Sequence, residues 1–194
     1  MKSIAAGLLG AVVVAVCSAG DATPSIEAVV AHPVFSTTYS CTEHAYGQLK
    51  GLGDELGTDC FIEQLEERNG RTWLRGYRTN GLKNEDWYGW GAEVLAPCTG
   101  TVEQIRENPI TNEPGIMGKP PASWIAFNCG DDLHFLLAHI ASPKVKVGDH
   151  VDAGQKIAQV GNNGMSRQPH IHIAAWRGKT ALQIRFDQVK IAIE

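Results

Sequence analysis

The chain has 194 residues, of which 43% are hydrophobic and 20% are charged. This length provides a core for one globular domain and is too short for two domains of ordinary size. The formal net charge is −4, and no segment concentrates lysine and arginine. The composition therefore argues against a nucleic acid as partner, because phosphate groups need a basic surface to bind.

The first twenty residues have the layout of a secretory signal. Lys2 is followed by an apolar run over residues 4–16 and then by Cys17 and small residues. The run is shorter than the roughly 20 residues of a membrane span, and small residues follow where a signal peptidase cuts. We predict a cleaved signal at residues 1–20, a periplasmic or secreted protein, and no transmembrane anchor in the mature chain. A lipid anchor on Cys17 is the alternative, which Val16 disfavours because acylation needs a small residue there.

Four cysteines remain once the signal and Cys17 are removed, namely Cys41, Cys60, Cys98 and Cys129. An even number in an oxidising compartment favours two disulfides, and three pairings are open. Proximity along the sequence favours Cys41 with Cys60 and Cys98 with Cys129. Four buried free thiols are the alternative.

The segment after the signal shows little periodicity. Residues 21–35 are small, polar and interrupted by proline, which is typical of a loosely packed arm. We expect an N-terminal extension over residues 21–60, with a short helix over residues 47–57. Alternating runs at 61–65 and 72–77 flank Asn69-Gly70, which predicts a β-hairpin.

Beyond residue 86 the pattern becomes a series of short strands broken by glycine and proline. The predicted strands span 93–96, 100–106, 123–128, 133–139, 156–160 and 170–176. This spacing predicts an all-β sandwich or barrel, which we assign to a domain over residues 61–194. Residues 108–121 are rich in proline, glycine and asparagine and read as a long loop that lines a binding site.

Three histidines suggest a metal site in this domain. His170 and His172 are two residues apart on a predicted strand, so both side chains lie on one face while Ile171 and Ile173 face the core. His139 ends another predicted strand. Imidazole suits zinc, and hydrolytic zinc sites take three protein ligands and leave a fourth position for water. The alternative is a strand that carries two exposed histidines without a ligand role.

The segments around these histidines resemble the lysostaphin-type (LytM-like) zinc metallopeptidases. The resemblance covers residues 80–176 and is carried by five segments, which are 94–97, 99–102, 138–139, 145–164 and 169–172. It implies an antiparallel β-sandwich or barrel of the duplicated hybrid motif kind. It also implies an exported zinc metalloendopeptidase whose substrate is a peptide bond of peptidoglycan.

The resemblance implies a role for each matched residue. In that family an H-x-x-x-D element supplies two zinc ligands and the second histidine of H-x-H supplies the third. By position, Asp86 and His172 would bind zinc, while His139 and His170 would act on water and the transition state.

The chain departs from the family pattern four residues before Asp86, where Leu82 stands in place of histidine. Leucine binds no zinc, and two protein ligands are too few for a zinc site. Glu85 or Asn80 would have to substitute, with Asn84 a weaker choice. Otherwise the domain is a degenerate, noncatalytic relative that binds cell wall or activates another hydrolase.

Residues near the expected site could contact substrate. Trp87, Tyr88 and Trp90 could form one wall of a substrate groove, and core packing is the alternative for these aromatic residues. Arg167 could contact a substrate carboxylate, or it could be a solvated surface residue.

Overall fold

The computed structural model describes residues 25–191, so the expected signal and Cys17 lie outside the described residues. None of the helices in this range is long and apolar enough to cross a membrane. The regular secondary structure of the described residues consists of strands, a short 3-10 helix at Asn84–Asp86 and a final helix α1 at Gln188–Ile191. These strands are β1 (Ala28–Ala31), β2 (Tyr39–Glu43), β3 (Thr58–Ile62), β4 (Gln64–Arg68), β5 (Arg71–Arg75), β6 (Glu93–Leu95), β7 (Gly100–Arg106), β8 (Trp124–Asn128), β9 (Leu133–Ala138), β10 (Ile140–Ala141), β11 (His150–Val151), β12 (Lys156–Val160), β13 (Ile171–Arg177) and β14 (Thr180–Phe186).

The main sheet is built around β13. Its strand order is β1-β14-β13-β9-β8-β7-β11, and β3 also pairs with β13 and carries β2 at its outer side. The first half of β13 pairs with β3 and the second half with β14, so these two strands share one edge of β13. A second sheet has the order β10-β12-β6, and β4 and β5 form a separate hairpin.

The core lies between the main sheet and the small sheet. Ile171 and Ile173 of β13 are fully buried, and they belong to one apolar cluster with Val94 of β6 and Ile157 of β12. This confirms the predicted all-β sandwich and the predicted inward face of β13. His172 of β13 therefore lies on the opposite face, away from this core.

The six strands predicted beyond residue 86 are confirmed to within one residue at each end. The hairpin at Asn69-Gly70 is also confirmed, but its first strand begins at Gln64, three residues later than predicted. The helix expected over residues 47–57 is wrong, because that segment forms turns. Gly51, Gly53 and Leu56 have φ angles of 139°, 97° and 57°, which no right-handed helix accommodates.

The described part of the expected N-terminal extension contributes three strands to the main sheet. β1 pairs in parallel with β14, and β3 pairs antiparallel with β13. Val34 and Phe35 are buried in the core, so residues 25–35 are not a loosely packed arm. The sequence pattern did not predict this packing because β1 and β2 alternate weakly and are half-exposed.

Both favoured disulfides are confirmed. Cys41 and Cys60 face each other across β2 and β3, while Cys98 and Cys129 join the start of β7 to the end of β8. Each closes a loop of the unfolded chain and contributes about 3 kcal/mol on a chain-entropy view. The first bridge fixes the strand pair that leads into the candidate site.

Candidate metal centre and catalytic histidines

The histidines of the sequence pattern meet in one cleft of about 680 Å³. His139 follows β9, His170 precedes β13, and His172 lies on β13 between β9 and β3. All three side chains are more than nine-tenths buried. The cleft is walled by apolar side chains from three loops, which are Leu49, Leu52, Met117 and Met165.

Asp59 is the acidic partner of His172. The two residues are directly opposite in the β3–β13 pairing, so their side chains share one face. His172 Nδ1 lies 2.8 Å from Asp59 Oδ1, and His172 Nε2 lies 2.7 Å from the carbonyl oxygen of Gly53. A Cβ at Gly57 would lie 2.6 Å from the His172 ring, so glycine leaves the space that this ring occupies.

His44 completes a three-residue cluster. It follows β2, its ring stacks on His172 at 5.2 Å, and its Nε2 lies 3.4 Å from Asp59 Oδ2. Its Nδ1–H donates to the carbonyl of Asp54, which leaves Nε2 free to act as a ligand. Within residues 25–191, one ligand atom each from His44, Asp59 and His172 lie within 4.8 Å of one another.

The charges of this cluster favour a bound cation. Burial raises the pKa of Asp59, but the hydrogen bond from His172 and the nearby histidine charges lower it well below its usual range. Burial lowers the pKa of His172, but the hydrogen bond and charge of Asp59 outweigh burial and raise it. Both ring nitrogens of His172 face oxygen acceptors, which favours the doubly protonated ring. A metal ion would replace the proton between His172 Nδ1 and Asp59, so two histidines and one carboxylate fit zinc.

His139 is held as a neutral ring beside this cluster. Its Nδ1–H donates to the carbonyl of Asn163 at 2.7 Å. Burial, with a smaller effect from the charge of His170, lowers the pKa of His139 to about 3. Its Nε2 is therefore an unprotonated acceptor at neutral pH.

His170 is held in a similar way. Its Nδ1–H donates to the carbonyl of Gln168 at 2.8 Å, and its ring stacks on Phe61 at 5.0 Å. Burial lowers its pKa, and the negative charge of Asp59 opposes that effect, because His170 Nε2 lies 3.8 Å from Asp59 Oδ1. The rings of His139 and His170 are 4.5 Å apart, so two basic nitrogens stand side by side next to the cluster.

The family model for peptidase family M23 matches residues 86–184, which include His139, His170 and His172. The chain belongs to peptidase family M23. An uncharacterized metalloprotease of Haemophilus influenzae is 32% identical over 82 residues, which are 42% of this chain and 15% of that protein. This M23 chain thus spans only a small part of that relative.

Two solved structures resemble this M23 chain. One is a mutant catalytic domain of the prophage-encoded M23 protein EnpA from Enterococcus faecalis, at 22% identity and a TM-score of 0.49. That match covers 78% of this chain and 92% of the EnpA chain. The other is the catalytic domain of lysostaphin from Staphylococcus simulans, at 21% identity and a TM-score of 0.45, covering 74% of this chain and 86% of that one.

The structure does not bring Asp86 to the histidines of this M23 chain. Asp86 lies in the short 3-10 helix, where one carboxylate oxygen accepts from the Thr79 hydroxyl and the other accepts from the Lys83 backbone N–H at 3.0 Å. It does not line the cleft. Both carboxylate oxygens of Asp86 accept hydrogen bonds within its own loop. Asp59 lies beside His172, where Asp86 was expected.

The expected substitute ligands also lie away from the cleft. Asn80 accepts from the Leu82 backbone N–H at 3.1 Å, and Glu85 is exposed on the 3-10 helix. Leu82 is 70% exposed, so its segment does not carry the missing ligand. The histidine that lies beside Asp59 and His172 is His44, which follows β2.

The three aromatic residues expected at a substrate groove lie in different environments. Tyr88 packs partly against the core and its hydroxyl lies 3.3 Å from Glu66, while Trp90 is half-buried. Trp87 lines a second groove beside the cleft, which we call the aromatic groove. Its lining includes Trp73, Tyr77, Trp87, Phe61 and Gln168. Arg167 lies at the rim of the cleft, so its proposed contact with a carboxylate stays a prediction.

His44 and Asp59 were not predicted as site residues from the sequence, although the predicted Cys41–Cys60 disulfide brings them close together. Pairing Cys41 with Cys60 places Asp59 one residue from one bridged cysteine and His44 three residues from the other. Both residues lie before the segment that the family model matches. The predicted disulfide is therefore the sequence signal that places His44 and Asp59 close together.

Proposed function

We propose that this chain is an exported zinc metalloendopeptidase that cleaves peptide bonds of peptidoglycan, with zinc held by His44, Asp59 and His172. The observation that carries the proposal is the cluster of these three residues beside His139 and His170 in one cleft. The cluster supplies the donor types that the family resemblance implies, two histidines and one aspartate, from β2, β3 and β13. Two disulfides and the sequence of residues 1–20 support export.

The ligands are held in position by backbone carbonyls. Gly53 and Asp54 offer successive carbonyl oxygens to His172 Nε2 and His44 Nδ1, which leaves His172 Nδ1 and His44 Nε2 for the metal. Such outer partners orient imidazole ligands and raise their basicity. Zinc in this position would polarise the scissile carbonyl and acidify a water molecule.

His139 and His170 divide the proton chemistry. Both rings donate through Nδ1, so their Nε2 atoms accept the two hydrogens of an attacking water. Burial lowers the pKa of both rings, and His170 Nε2 lies 3.8 Å from Asp59 Oδ1, directly beside a proposed metal ligand. We assign proton removal and return to the leaving amine to His170, and orientation of the water to His139.

A matched pair of carboxylate variants tests the proposal. Asp59→Asn removes the proposed ligand, and Asp86→Asn changes the aspartate that the sequence motif would have selected. We expect about one zinc per chain and release of new amino groups from purified peptidoglycan in the wild type and in Asp86→Asn, with both lost in Asp59→Asn. Zinc retained in Asp59→Asn and lost in Asp86→Asn would overturn the ligand assignment. A folded chain that holds zinc and cleaves no peptide would instead be a noncatalytic wall-binding relative.

A further inference from the structure

The aromatic groove continues directly from the catalytic cleft. Phe61 and Gln168 line both cavities, so a molecule that lies in the cleft can extend into the groove without leaving the surface. The groove has a volume of about 490 Å³, within the range of small-molecule sites. One wall is formed by the second half of β5 and the two residues that follow it, and this segment lies outside the one that the family model matches.

Trp73 presents the available aromatic surface of the groove. It is 40% exposed and pairs across the hairpin with Glu66. Trp87 of the same groove is held in place, because its indole N–H donates to the Gly81 carbonyl at 3.0 Å and its ring contacts Tyr77 at 5.2 Å. Tyr77 itself is covered by the guanidinium of Arg75 at 4.8 Å, so it supports the wall rather than offering a free face.

Polar groups surround these aromatic rings. Ser40, Thr42, Glu63 and Gln168 line the same groove and offer hydroxyl, carboxylate and amide groups. The catalytic cleft differs, since Leu49, Leu52, Met117 and Met165 give it apolar walls. A sugar ring has an apolar C–H face and a rim of hydroxyl groups, so it matches the aromatic groove, where an aromatic face has polar neighbours. The apolar walls of the catalytic cleft suit peptide side chains instead.

We propose that the aromatic groove binds a sugar ring of a glycan strand, with Trp73 stacking on it. The proposal rests on the proposed function, because it places glycan beside the peptide held in the cleft. A substrate in which peptide and sugar are covalently joined would occupy both cavities at once. The hairpin then determines specificity for stem peptides that are attached to glycan over free peptides.

Binding of a carbohydrate without peptide tests this assignment separately from hydrolysis. The probe is chitotetraose, a tetramer of N-acetylglucosamine, titrated into full-length mature protein by calorimetry and by tryptophan fluorescence. The variants are Trp73→Leu, Trp73→Phe and Asp59→Asn, and Leu65→Ala is the control. Leu65 lies on the opposite face of the same hairpin and is 69% exposed.

We expect the wild type, Asp59→Asn and Leu65→Ala to bind the tetramer equally. Trp73→Leu should bind about tenfold more weakly, and Trp73→Phe should keep most of the affinity because it retains a flat ring. No binding by the wild type, or equal loss in Asp59→Asn and Trp73→Leu, would overturn the proposal. The proposal would also be overturned if Trp73→Leu weakened the binding of a free stem peptide and left the binding of the tetramer unchanged. Since the probe contains no peptide bond, a failure of the proposed hydrolysis would leave this result unchanged.

Discussion

At the scale of single residues, the proposed metal site centres on the two hydrogen bonds of His172. His172 donates from Nδ1 to Asp59 and from Nε2 to the Gly53 carbonyl. The spacing of His170 and His172 predicted that both would share a polar face, because period-two geometry is local. The partner of His172 could not be read from the sequence, since Asp59 is 113 residues away and meets it only through strand pairing.

The first prediction concerns the pH dependence of zinc affinity. The pKa of His172 is raised and that of Asp59 is lowered, so in mildly acidic solution the histidine holds a proton while the carboxylate stays charged. Below the pKa of His172, zinc must displace that proton, and affinity should fall about tenfold for each pH unit. Competition with a chromophoric chelator between pH 8 and pH 5.5 measures this, with Asp86→Asn as the control. An affinity that is constant over this range would contradict the assigned role of His172.

At the scale of elements, the β2–β3 pair carries two of the three proposed ligands. His44 follows β2, Asp59 lies on β3, and the Cys41–Cys60 disulfide joins the two strands. The segment between them supplies the Gly53 and Asp54 carbonyls that orient both histidines. Glycines with positive φ give that segment turns rather than a helix, which a propensity argument from its composition did not predict.

The second prediction separates the roles of the two disulfides. The Cys41–Cys60 bridge spans 19 residues and the Cys98–Cys129 bridge spans 31, so chain entropy makes the second bridge at least as important for stability. We expect Cys41→Ser with Cys60→Ser to weaken zinc binding by about tenfold or more, because the ligand-bearing strands lose their link. Cys98→Ser with Cys129→Ser should lower the melting temperature and leave zinc affinity within about twofold. Equal zinc affinities for the two double variants would show that the first bridge does not position the ligands.

At the scale of the whole molecule, six of the strands beyond residue 86 and the hairpin at Asn69-Gly70 were predicted, whereas β1, β2, β3 and β14 were not. β7 begins at a glycine and alternates at its start, and β12 is followed by Gly161, whereas β1 is short and mostly exposed. The predicted strands were enough to predict the sandwich. The site could not be predicted from them, because it forms only where β3 pairs with the edge of β13. The order of residues in the motif selected Asp86, whereas the β3–β13 pairing places Asp59 beside His172.

The most direct test of this account is the position of the metal in crystals of the zinc-loaded protein. Anomalous difference density measured on both sides of the zinc absorption edge locates the ion without reference to any ligand assignment. We predict a single peak bounded by His44 Nε2, Asp59 and His172 Nδ1, with no peak at Asp86. A peak beside Asp86, or a zinc held without Asp59 and His44, would contradict the central claim that β2 and β3 supply the ligands.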